Sequence, residues 1–182
     1  MARVPYVDRE ALDAEGQEIY DRIRRDRNAP KVGFQFRALL HSPQATGYLT
    51  SMGAQLRFQS ALPEDLKELA ILVVAREWNS HIEWTAHAVL AAKAGISTDS
   101  IETIRTNKAT SGLPDTQQVI VRFLHQLLRD KTVSDEVFAE AQKLLGTKGV
   151  VDLVLTCSYY AAITLAQLAL KPEMEPGKVS TL

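Results

Sequence analysis

A chain of 182 residues, 46% hydrophobic and 24% charged, is long enough for one domain with a sizeable core and too apolar to be disordered. A formal net charge of −1 with no extended basic face argues against a nucleic-acid partner. The one cysteine, Cys157, excludes an intrachain disulfide and a zinc-spaced thiol cluster, and fits a reducing, cytoplasmic compartment.

In chain order, almost every segment reads as helix. The stretch Met1 to Asp8 lacks the apolar run of a signal peptide. Asp8 is placed to cap a helix reaching Arg27, with Leu12, Ile19 and Ile23 in a partly helical period. Within it, Arg22-Ile23-Arg24-Arg25 is diluted by Asp21 and Asp26 and reads as a solvated helix surface. Asn28-Ala29-Pro30 breaks that helix, a short one follows from Gly33 to His41, and Pro43 opens the next, towards Phe58. Pro63-Glu64-Asp65 is a helix start, with a proline in the first turn and acids at the positive dipole end. Its body, Leu69 to Ala75, is apolar on every face, which predicts burial in a core or an oligomer interface.

A helix from Ser80 to Gly95 comes next, then a short one capped by Ser97 or Thr98 and a polar loop from Asn107 to Leu113. Further helices are expected over 114–129, 134–145 and 148–170. Leu153 to Leu170 carries no formal charge, but its length and its Thr, Ser, Tyr and Gln residues favour a buried core helix over a membrane span. Pro172 stops it, and Lys171 to Leu182 reads as a loose tail. The expected fold class is all-α, a single-domain helical bundle. Residues 1–31 form an N-terminal helical extension, 32–170 the domain and 171–182 the tail.

Chemistry concentrates between Glu68 and His87. Glu68 shares a helix stripe with Ile71, Leu72 and Ala75, and burying it raises a carboxylic acid's pKa unless a partner compensates. Glu83 and His87 are one turn apart on the following helix, on a stripe continued by Leu90 and Ala94. Two titratable groups on an apolar stripe call for mutual hydrogen bonds, and a glutamate there orients the imidazole and tunes its pKa. Two readings of Ser80 and Glu83 stand together: a capping box at the helix start, or part of a site. Likewise His87 is either a satisfied core histidine or a functional one. With no second histidine at ligand spacing from Glu68, Glu83 and His87, no metal site is expected.

The segments Leu66-Lys67-Glu68-Leu69-Ala70-Ile71-Leu72-Val73-Val74-Ala75-Arg76 and Ser80-His81-Ile82-Glu83-Trp84-Thr85-Ala86-His87 resemble the core of the carboxymuconolactone decarboxylase family, in the alkylhydroperoxidase D-like superfamily. Leu39-Leu40-His41-Ser42-Pro43, Ala94-Gly95-Ile96-Ser97 and the late helix with Tyr159-Tyr160 extend the likeness over most of the chain. The resemblance implies an all-helical fold and a homo-oligomer: a dimer, trimer or hexamer. In its peroxidase branch two cysteines fall where this chain has Ser80 and Glu83, so thiol peroxidase chemistry has no nucleophile and no resolving thiol here.

What remains is acid–base chemistry needing no cofactor, in which CO₂ leaves a carboxylated lactone and a proton reaches carbon. In that reading His87 donates the proton, Glu83 orients it and Glu68 is a second acid or relay. Ser80, Trp84 and Tyr159 are substrate-side candidates, and Arg57 or Arg76 would meet an acidic group. The partners expected are a small-molecule substrate and further copies of the chain, with no nucleic acid and no membrane. An isomerase or hydrolase would suit the same residues. The competing class is a non-catalytic helical oligomer that binds a small molecule or scaffolds, in which His87 is packed and hydrogen-bonded. A residual peroxidase role for Cys157 is a third reading.

Overall fold

A computed structural model describes all 182 residues, every regular element is helical, and the chain divides into two compact units. The first comprises Met1–Gln59 with Leu165–Lys178, the second Ser60–Thr164 with Val179–Leu182.

In the first unit, helix α1 (Ala14–Asp26) packs on α3 (Pro43–Gln59), with the short α2 (Phe34–Leu39) between them in sequence. The start of α1 differs from the sequence expectation. Asp13, not Asp8, is its N-cap, its carboxylate accepting from Gly16 N at 2.8 Å, and Arg9–Ala11 form a separate 3-10 turn. Asp8 is drawn off by charge, lying 2.7 Å from Arg37 and 3.2 Å from Lys31. α1 turns Ile19, Tyr20 and Ile23 inwards, while α3 presents Thr46, Gly47, Thr50 and Gly53. The tail is not loose throughout: Glu173 accepts from Tyr6 Oη at 2.8 Å, and Glu175 accepts from Phe34 N at 2.7 Å.

In the second unit, α4 (Glu64–Glu77) is the central helix, packed by α5 (His81–Lys93), α6 (Thr98–Arg105) and α7 (Asp115–His125). Every residue from Leu66 to Ala75 is buried within this one chain, which explains a helix apolar all round without any second subunit. α7 ends earlier than its pattern implies, giving way to a π turn over Gln126–Asp130 that Lys131 closes with φ 62°.

The last helix, α8 (Asp135–Leu170), carries a break at Gly146, with φ 69° and ψ 170°, so the two predicted helices are present, meeting at one glycine. α8 is long and apolar enough to cross a membrane by length and composition, yet only 44% of its most apolar window is buried. The sequence reading of a buried core helix therefore holds for one face. The other carries exposed Val151, Leu155, Leu165 and Leu168.

Candidate functional site

The turn between α4 and α5 builds the site. Asn79, at φ 51°, reverses the chain, and Ser80 caps α5 by accepting from Glu83 N at 3.2 Å. Only the serine half of the capping box takes the expected form, because the backbone N–H of Ser80 donates to Ala75 O at 2.7 Å. The Glu83 side chain instead lies along α5 towards His87. Arg76 ties the same turn down, donating to Asn79 Oδ1 at 2.5 Å and to Arg105 O at 2.7 Å, so the cation considered for an acidic substrate holds backbone and turn instead.

Packing α5 on α4 brings the three titratable groups together. His87 Nδ1 is 2.7 Å from Glu68 Oε2, and Nε2 is 3.5 Å from Glu83 Oε2. The sequence reading made Glu83 the orienting partner, but the shorter bond comes from Glu68 on the neighbouring helix. Glu68 is 1%, Glu83 4% and His87 3% exposed, so all three are closed off from solvent. Burial by itself would push the His87 pKa down, but hydrogen bonds to Glu68 and Glu83 and their charge outweigh it, and the pKa is raised. A carboxylate at each ring nitrogen suits the imidazolium, which donates from both.

α8 supplies the third side. The Tyr160 ring meets His87 edge-on at 5.0 Å between centroids, and Tyr159 meets Tyr160 edge-on at 5.1 Å. Tyr159, named from the sequence, therefore stands behind Tyr160, which the site reading passed over. The signal that would have found it is the period of α8, where Leu153, Thr156, Tyr160 and Thr164 share a buried face. Trp84 is buried in the core, 1% exposed, and Arg57 lies in the first unit over the Phe58 ring.

Cys157 is buried in apolar surroundings that push its thiol up to about 11, leaving almost no thiolate near neutrality. No group of three or more His, Cys, Asp and Glu side chains has metal-holding geometry.

This arrangement of helices has solved counterparts. A protein from Ralstonia eutropha JMP134, described as an alkylhydroperoxidase AhpD core and uncharacterized peroxidase-related protein, superposes with a TM-score of 0.79. That match covers 96% of this chain and 93% of the other at 13% identity. The chain has the alkylhydroperoxidase D-like fold. An uncharacterized peroxidase-related protein from Silicibacter sp. TM1040 has it too, with a TM-score of 0.75 and 15% identity over 97% of this chain and 93% of that one. No family model matches the chain, and no curated protein matches its sequence. At this identity the likeness carries the alkylhydroperoxidase D-like fold and not a reaction.

Proposed function

We propose that the chain is a cofactor-independent acid–base enzyme of the carboxymuconolactone decarboxylase type, with His87 as its proton carrier. The supporting observation is the buried imidazole held between Glu68 and Glu83, at 2.7 and 3.5 Å. In the reaction the bond from carbon to the carboxylate breaks, its electron pair moves onto the lactone carbonyl as a dienolate, and CO₂ leaves. His87 Nε2–H then delivers a proton to carbon, Glu68 keeps the ring oriented through Nδ1, and Glu83 helps return a proton to Nε2. Tyr160 forms a wall beside the ring. The pair Ser80 and Glu83, where thiols would stand, and the high pKa of Cys157 leave no route for peroxide reduction.

The experiment is CO₂ release from 4-carboxymuconolactone by wild type and His87→Asn, which retains a donor towards Glu68. Turnover that falls by at least about 100-fold in the folded variant supports the reading. An inert wild type, or a variant that keeps its rate, overturns it.

One observation favours a second reading. The triad is fully enclosed, which is how a structural network in a non-catalytic helical protein looks. In that case His87→Asn changes stability and no small acid or lactone is turned over. We also propose that the chain self-associates through the exposed apolar face of α8, a reading supported by the spacing of that face.

A further inference from the structure

Between α1 and α3, wholly inside Met1–Gln59, runs a groove of about 390 Å³. None of Glu68, Glu83, His87 or Tyr160 lines it. Its volume is in the range of small-molecule sites. Ile19 and Gly47 form the floor, and exposed Glu18 and Arg25 stand on the rim. Tyr48, 81% exposed, stands beside them with its ring free of the core.

Glu18 and Arg22 are one turn apart on α1, the spacing at which such residues pair. Here they do not. Arg22 turns across to α3 and donates from Nη2 to Gly47 O at 3.0 Å, while its Nε is buried with no hydrogen-bond partner in the chain. Gly47 makes room for this, since a Cβ there would stand 2.9 Å from Arg22 Nη2. At the far end Gln44 donates to Glu15 at 3.1 Å, which fixes that wall. The groove thus holds an acid and a guanidinium side by side, kept from neutralising each other, with a second arginine behind and an aromatic ring alongside.

A ligand with only a negative charge meets Glu18, and one with only a positive charge meets Arg22 and Arg25. We propose that the groove binds a small zwitterion with ammonium and carboxylate on neighbouring atoms and an apolar group attached: an α-amino acid or a close analogue. The ammonium faces Glu18, the carboxylate faces Arg22 and Arg25, and the apolar group lies over Ile19 against Tyr48. This site stands independently of the chemistry at His87.

The test uses the full chain and three probes, L-phenylalanine, 3-phenylpropionate and 2-phenylethylamine, with dissociation constants from ligand-observed NMR. L-phenylalanine is expected to bind saturably and at least about tenfold tighter than either half-molecule, the worth of one charge-assisted hydrogen bond. Arg25→Ala and Tyr48→Ala, both at exposed positions, weaken it without shifting the thermal midpoint, and Gly47→Ala weakens it by displacing Arg22. Absence of saturable binding, equal affinity for the three probes, or affinity unchanged in Arg25→Ala and Tyr48→Ala overturns the proposal.

Discussion

His87 is buried with two carboxylates beside it, so its charge state is linked to folding. Its pKa is raised in the folded chain above the ordinary histidine value of about 6.5. The stability it contributes is therefore complete below that ordinary value and is lost as pH rises through the folded pKa. Denaturant unfolding of wild type from pH 5 upwards should show stability falling across that window. His87→Asn should lack that fall; an identical pH profile in both would mean that His87 does not carry the proton.

Glu68→Ala removes the closer partner and leaves the ring with one carboxylate, which should cost about 3–5 kcal/mol. Cys157 offers a second test at this scale. With its thiol near 11, alkylation at pH 8 should be at least about 100-fold slower in the native chain than in denaturant. Equal rates would mean an open, reactive thiol and would return Cys157 to consideration.

At the scale of elements, helix ends were legible where the signal is local. Pro63-Glu64-Asp65, Ser80 and Ser97 each start a helix within a residue of where their chemistry puts it. The start of α1 was not, because Asp8 and Asp13 offer equal local signals and the choice between them is made by Lys31 and Arg37, distant in sequence. The site divides in the same way. The pair Glu83 and His87 lies on one helix face and can be read from spacing, and the apolar stripe marks Glu68 as buried. That Glu68 makes the shorter bond depends on how α4 meets α5, and while the period of α8 puts Tyr160 on its buried face, that this face meets His87 depends on how the helices pack. The break in α8 gives a clean test. Gly146 has no atoms close enough to obstruct a Cβ, but φ 69° with ψ 170° is a conformation only glycine adopts easily. Gly146→Ala should therefore destabilise the chain by about 1–3 kcal/mol in denaturant unfolding, and a neutral result would mean the two halves of α8 can join without strain.

For the molecule as a whole, the outer face of α8 is the surface that asks for an explanation. Val151 is 52%, Leu155 40%, Leu165 48% and Leu168 47% exposed, and Ser158 and Ala162 between them are exposed too. Steps of four and three residues make a narrow seam of the kind by which one helix packs on another, with small residues at its centre allowing close approach. A lipid bilayer suits it poorly. Asp152 lies within the same helix beside the seam, accepting from Ala61 N at 2.7 Å and Lys148 Nζ at 2.8 Å, so a carboxylate committed to contacts inside the chain interrupts the apolar surface. In the self-association proposed above, a second copy would present the same seam, and the two seams would bury each other about a two-fold axis. Leu155→Glu places a charge within the seam without touching the buried face that carries Tyr160. Sedimentation should find wild type as an oligomer and this variant as a monomer of unchanged helicity. A monomeric wild type, or a variant that still associates, would leave the seam without that partner, and flotation with liposomes would then decide whether lipid takes its place.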